Sequence, residues 1–232
     1  MFRLIALIGI AATVAAVLGH FVLFGPKRLS DPKQPRQIQR FRFWERFIHI
    51  ATVAGFLGLA GTGFYSVLAL GSPLQGWWWL IHATAAPVFV IALTLMVATW
   101  AKDGIFASYD WEWALKFGGY LGFGKHPPAG RFNAGQKAYF WMAALLGAVV
   151  LVTGLGRMFP VFDVEGQAIV YQAHRYAALL FVLAGITHLY LGTIANPGTL
   201  GAMMYGKVSR AWAEEHHPQW WKTITREDKS KT

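Results

Sequence analysis

The sequence has no cysteine in its 232 residues, and that absence removes several chemistries at once. No disulfide, thiolate-ligated iron–sulfur cluster, cysteine-rich zinc site or CxxCH haem attachment can be built from it. Any metal centre must be held by histidine, methionine or carboxylate. Charge is scarce too: 14% of residues are Asp, Glu, Lys or Arg, and only 11 of those are acidic against 21 basic. Soluble domains carry about 25% charge, so an ordinary water-facing surface is excluded. No internal repeat or low-complexity segment is present.

What is present is a 55% share of hydrophobic residues, gathered into five blocks over residues 2–24, 48–70, 78–100, 139–159 and 169–195. Each is at least about 20 residues, the length a helix needs to cross about 30 Å of hydrocarbon. Backbone groups in lipid must be satisfied within their own segment, so helices are the form these blocks take. The expected fold is an all-α integral membrane protein, a four-helix bundle with one extra N-terminal transmembrane helix. The first block has a second reading, a signal peptide. Its apolar run is longer than a signal core, and the basic stretch after it, from Lys27 to Arg46, would translocate badly. An uncleaved helix over 1–26 is therefore expected. A basic linker follows over 27–47, then a core over 48–200 with a loop at 101–136, and a tail over 201–232.

Basic residues set the orientation. All of them except Arg3, Arg157 and Arg175 fall in the linker, the 101–137 region (Lys102, Lys116, Lys125, Arg131, Lys137) or the tail (Lys207, Arg210, Lys222, Arg226, Lys229, Lys231), together with Arg28 and its linker neighbours. That side is cytoplasmic, so the N-terminus is outside and the C-terminus inside. Trp77–Trp79 and Trp100, Trp111 and Trp113 mark the two interfaces. The net charge of +10 is then topology and contact with anionic lipid, and no nucleic-acid partner is expected. In the long loop, residues 109–117 read as a short amphipathic helix at the interface. Gly118, Gly119, Gly122, Gly124, Pro127, Pro128 and Gly130 break regular structure after it.

Four of the eight histidines, His49, His82, His174 and His188, lie inside apolar blocks. An ionisable group there is costly and points to function, although any one of them can be a hydrogen-bonded structural residue. His174 and His188 are 14 residues apart, which is about 21 Å along a helix and about 40° around it. They share a face at two depths. His49 opens the second block at cytoplasmic depth and His82 opens the third at outer depth. The pairs are His49 with His188, and His82 with His174. Paired neutral imidazoles at two levels suit two b-type haems stacked across the bilayer, a wire for electrons. Zinc is the competitor, with too few ligands at each level. Gly55, Gly58, Gly61, Gly63 and Gly185 support two readings equally: faces bared for a porphyrin, or close helix packing.

Phe43-Trp44-Glu45-Arg46-Phe47-Ile48-His49, Ile81-His82, Arg131-Phe132-Asn133-Ala134-Gly135-Gln136-Lys137, Gln172-Ala173-His174, Thr187-His188-Leu189-Tyr190 and the tail from Gly206 to Pro218 together resemble the γ subunit of respiratory formate dehydrogenase. That subunit is a di-haem cytochrome b of the hydrogenase-type group, and the likeness spans about 40–222. It implies that the four histidines are haem ligands, in the pairs reached by depth. It also implies a quinone site at the cytoplasmic haem, near Asn133, Gly135, Gln136 and His188. Amides there can hydrogen-bond quinone carbonyls; helix capping is the alternative role for Asn133 and Gln136. Further implied are an iron–sulfur β subunit and a molybdenum or tungsten α subunit outside, which carries the formate-oxidising site. No residue of this chain is expected to be catalytic in that step. Electrons would then pass inward through the haems to quinone in the bacterial inner membrane, as part of a respiratory chain.

Departures from the family pattern are Ile50 in place of an aromatic after His49, the extra N-terminal helix, and Arg175 beside His174. Arg175 reads as a haem-propionate partner or as snorkelling to the interface. His20, His126, His216 and His217 read as structural or surface residues. Two other functions remain in play. One is the cytochrome b of a membrane hydrogenase or thiosulfate/polysulfide reductase; the other is a haem-free anchor or proton-conducting transporter.

Overall fold

The computed structural model describes residues 1–27, 29–122 and 127–229, with side chains described as far as residue 226. Arg28, Gly124, Lys125, His126 and Lys231, named above, lie outside the described residues, as does the side chain of Lys229. Among the described residues five helices are long and apolar enough to cross a membrane. They are α1 (Phe2–Phe24), α2 (Phe43–Tyr65, ending in a π-helical turn Ser66–Leu70), α3 (Gly76–Trp100), α5 (Ala134–Met158) and α6 (Val164–Gly192). The short α4 (Tyr109–Leu115) lies between α3 and α5, where the amphipathic segment was expected. After α6 come α7 (Thr199–Tyr205), α8 (Arg210–His216) and α9 (Pro218–Lys229).

Helix boundaries differ from the apolar blocks for local reasons. α2 begins five residues ahead of its block because Glu45, in its first turn, reaches back to accept from the Arg42 N–H at 2.8 Å, half of a capping box. α6 stops at Gly192, short of the Ala195 expected from the apolar run. Pro197 disfavours a helical Asn196, and the N–H groups of Thr193, Ile194 and Ala195 all converge on the Tyr190 carbonyl.

The chain forms two compact units, Met1–Ala16 with Phe47–Thr99 and Met142–Thr187, and Val17–Arg46 with Trp100–Trp141 and His188–Thr232. The first is held by apolar packing. Phe2, Ala6 and Leu179 are buried together, with Ile10, Phe64, Tyr176 and Leu183 around them, which seats α1 on α6. Phe56, Phe89 and Phe181 form an aromatic cluster with centroids 5.0 to 6.3 Å apart. A Cβ on Gly55 would lie 2.8 Å from the Phe89 backbone, so only glycine allows α2 and α3 to cross this closely.

The second unit folds the linker and the tail together. Strand β1 (Arg36–Gln39) pairs antiparallel with β2 (Lys207–Ser209). The Gly206 carbonyl accepts from the N–H groups of Arg40 and Phe41. Trp212 is 2% exposed and His217 1%; their rings stack 4.9 Å apart. The buried Arg40 guanidinium lies over Trp212 at 4.4 Å and donates to the Arg131 carbonyl. His217 therefore is the structural residue expected, and a fully buried one. Nothing in the apolar pattern announced the two-stranded pairing or the folded tail.

Candidate functional site

His82 sits in the second turn of α3 and His174 in the third turn of α6, both in the first unit. Each imidazole is held by a threonine one helix away. Thr62 on α2 lies 2.8 Å from His82 Nδ1, and Thr153 on α5 lies 3.0 Å from His174 Nδ1. Both hydroxyls also donate to backbone carbonyls four residues back, Thr62 to Gly58 and Thr153 to Val149, each at 2.6 Å. A hydroxyl has one proton. With that proton on the carbonyl, Nδ1–H of each histidine must donate to the threonine oxygen. The Nε2 lone pair is then left free of the threonine, the arrangement that could orient an imidazole toward a metal through its other nitrogen.

Small residues keep the space beside these rings open. A Cβ on Gly63 would stand 3.6 Å from His82 Cε1, and one on Gly154 would stand 3.5 Å from His174 Cε1. Arg157 lies in electrostatic range of both histidines, and His82 in range of His174. Arg157 was not singled out from the sequence, because a cation at a helix end reads as an interface anchor. Arg175 turns away to other partners. Its guanidinium lies over Phe2 at 4.5 Å and Tyr171 at 4.8 Å, and its Nε donates to Gln172 at 2.7 Å.

The glycines divide between the two roles. Gly63 and Gly154 face histidines, whereas Gly55, Gly58 and Gly185 meet Phe89, Ala85 and Phe56 as packing contacts. His49 belongs to the first unit, on α2, and His188 to the second, on α6. The His188 ring lies flat against Tyr139, centroids 4.0 Å apart and planes within 5°, which fixes its tilt. Among the described residues no three His, Asp or Glu gather as a metal-holding group, whereas zinc takes three or four protein ligands.

Asn133 and Gln136 form a reciprocal capping box at the start of α5. Gln136 N–H donates to Asn133 Oδ1 at 2.9 Å, and Asn133 N–H donates to Gln136 Oε1 at 3.0 Å. The box engages the two amide oxygens and so fixes which end of each amide is which, leaving the NH2 groups as the donors a quinone carbonyl needs. Gly135 lies under Trp113, where a Cβ would be 2.6 Å from the indole ring.

His20 is a structural residue, as expected. Its Nε2 lies 3.0 Å from the Tyr120 carbonyl, so Nε2–H donates there and the Tyr190 hydroxyl donates to Nδ1 at 2.6 Å. Close by, Lys27 donates to the Gly118 carbonyl and lies over the Tyr120 ring; burial pushes its pKa down to about 8.

Comparison with known proteins identifies the family. The family described as prokaryotic cytochrome b561 matches residues 40–206. A separate family, formate dehydrogenase N, transmembrane, matches residues 1–33. The cytochrome b556(Fdn) subunit of the nitrate-inducible formate dehydrogenase of Escherichia coli K12 is 30% identical over 213 residues, covering 84% of this chain and 95% of that protein. The cytochrome b556(fdo) subunit from the same strain is 25% identical over 211 residues, 86% and 99% of the two chains. The cytochrome b556 subunit of the Haemophilus influenzae formate dehydrogenase is 26% identical over 148 residues, 61% of this chain and 62% of that one.

Proposed function

The chain belongs to the prokaryotic cytochrome b561 family, and from that premise we propose that it is the two-haem membrane subunit of a formate dehydrogenase, delivering electrons to quinone. The observation that carries the reading is the matched pair of threonine-oriented histidines, His82 with Thr62 and His174 with Thr153, each left with Nε2 for iron. His82 and His174 would hold the outer haem. His49 and His188 would hold the cytoplasmic one, a pairing that rests on depth along the helices and on the family likeness. When bound, b-type haem supplies one-electron carriage between donor and acceptor.

The chain's own residues do the rest. The threonines fix the imidazole tautomer, Tyr139 sets the tilt of His188, and the capped amides of Asn133 and Gln136 offer their NH2 groups to a quinone carbonyl beside Gly135. Having no cysteine, the chain needs an iron–sulfur donor on a partner, which takes electrons from a molybdenum or tungsten subunit that oxidises formate. With the C-terminus cytoplasmic and the donor outside, moving each electron inward works against the membrane potential by about 2.3 kcal/mol per 100 mV. The reaction then conserves energy.

The test is a reduced-minus-oxidised spectrum of the purified complex with formate as reductant, with haem counted per chain and quinone added last. Two b-type haems, reduced by formate and reoxidised by quinone, are expected. No haem at all would return the chain to an anchor or a proton-conducting transporter. Haem reduced by hydrogen or a reduced sulfur compound, and not by formate, would assign it to another complex.

A further inference from the structure

Lys137 and Asp110 form an ion pair that the proposed electron path leaves unexplained. Lys137 Nζ lies 2.6 Å from Asp110 Oδ2, with the two side chains 3% and 4% exposed. The Ala107 N–H also donates to Oδ2, at 2.7 Å. Oδ1 is buried with no hydrogen-bond partner among the described residues. A pair this deep is a poor device for stability, because desolvating two charges offsets their attraction, and apolar residues of the same shape commonly serve as well or better. A carboxylate oxygen left bare in the interior calls for a further explanation.

Its position supplies one. Lys137 follows Gln136 directly and lies one helical turn beyond Asn133. Going round α5, Tyr139, Gln136 and Lys137 follow one another at steps of about 60° and about 100°. Gln136 thus lies between Tyr139 and Lys137 around the first two turns, flanked by the stack on His188 on one side and the buried ammonium on the other. Reducing a quinone to a quinol takes two electrons and two protons, and a quinone held at the cytoplasmic depth proposed for Asn133 and Gln136 would take both protons from that side of the membrane.

We infer that Asp110 and Lys137 are the proton-delivery pair for quinone reduction, with Lys137 the donor and Asp110 the group that reloads it. This rests on the quinone reading above. In the step, an Nζ–H bond breaks as an O–H bond forms on the reduced quinone oxygen. Asp110 then takes up a proton on Oδ1 from water admitted from the cytoplasmic side, and a half-turn of the carboxyl presents it to the Lys137 amine, which restores the ion pair. Two such deliveries, matched by two electrons that bound haem would carry from the proposed donor, convert one quinone to one quinol. The other titratable group against the pair is Tyr109, whose ring lies 5.3 Å from Nζ. Neighbouring charges are already paired elsewhere, Glu112 with Lys116 on α4 and Arg131 with Glu45 and Asp103.

The experiment uses the intact complex in the Asp110→Asn, Lys137→Met and paired D110N/K137Q forms. The paired form removes both charges and keeps a neutral hydrogen bond, so it preserves the fold where a single change leaves a charge stranded. Haem-to-quinone electron transfer is followed against pH and in heavy water, with donor-to-haem transfer as the internal control. Expected are two haems, unchanged donor-to-haem rates, quinone reduction slower by about 10²-fold and a changed pH profile. Asp110→Glu should recover part of the rate. Infrared difference spectra of the unsubstituted complex should show a carboxyl change on quinone reduction that Asp110→Asn abolishes. If the paired form reduces quinone at the unsubstituted rate and with the same pH profile, or the carboxyl change persists, the pair is structural. If Asn133 and Gln136 substitutions are silent while these are not, the proton path stands and the amide site fails. If the unsubstituted complex does not reduce quinone, both readings fall together.

Discussion

The two compact units use opposite means to hold functional side chains. In the first, His82 and His174 are each fixed by one threonine hydroxyl, and the buried cluster that seats α1 on α6 is apolar. In the second, ion pairs do much of the holding, Arg131 with Glu45 and Asp103, and Lys137 with Asp110 among them. Arginines over aromatic rings and carbonyls capped by lysine and arginine side chains complete it. The difference follows from solvent. In a segment read as surrounded by hydrocarbon charge is costly, so the two histidines are oriented by hydroxyls that also bond a helix carbonyl. A segment at the interface can recruit charge, and it does so to tie the linker, the loop and the tail together.

The largest effect expected from breaking this contrast is loss of a ligand in the first unit. His82→Ala or His174→Ala should lower haem content from two to about one per chain and abolish reduction by the donor. Haem assay and donor-driven spectra decide it; content unchanged at two would undo the pairing.

Next is the hydroxyl that orients each ligand. Thr62→Val and Thr153→Val keep shape and remove the acceptor for Nδ1–H, which should weaken haem affinity about 10–100-fold. Haem transfer to apomyoglobin measures this, and rates equal to those of the unsubstituted chain would mean that packing alone sets the rings.

In the second unit, Asn133→Asp and Gln136→Glu keep the capping oxygens and remove the NH2 donors, and a negative charge at a helix N-terminus is favourable. Thermal stability should hold while haem-to-quinone transfer slows about 2–10-fold, the worth of one hydrogen bond. Asn133→Leu and Gln136→Leu should instead lower both, since the box is lost, at about 1 kcal/mol of stability. Quinone rates unchanged in the Asp and Glu forms would leave capping as the sole role.

The smallest effect concerns pH and the tail. His217 donates from Nδ1 to the Gly130 carbonyl at 2.6 Å. Burial foremost, then the nearby Arg40 charge, holds its pKa well below the ordinary 6.5. The folded tail stays neutral where the opened tail takes up a proton, so the unfolded state binds more protons and stability rises with pH. It is complete above the ordinary histidine value and declines as pH falls below it. The protection factors for hydrogen exchange over residues 207–226, corrected for the intrinsic pH dependence of exchange, should therefore fall between pH 7.5 and 5.5, and His217→Gln should flatten the trend.

Most of the fold was legible because hydrocarbon imposes a rule that composition alone reveals. The five apolar blocks became five helices long enough to span, and α4 formed where amphipathic spacing placed it. The candidate ligands were legible for the same reason, since a histidine in such a block stands out.

Helix ends were not legible from hydropathy, because local hydrogen bonds set them. Glu45 drew α2 back to Phe43, the Asn133–Gln136 box drew α5 back to Ala134, and Pro197 stopped α6 at Gly192. Thr62, Thr153 and Arg157 gave no signal, because threonine and terminal arginine are ordinary in membrane helices and acquire meaning only from what faces them. The β1–β2 pairing and the burial of Arg40, Trp212 and His217 likewise join segments about 170 residues apart. By itself, then, the sequence determined the helices, the membrane and the histidines, all properties of single segments read against a solvent. Only the tertiary structure decided which nitrogen each imidazole presents, which end of each amide is a donor and where the lone carboxylate oxygen lies, because each depends on a partner that no local pattern encodes.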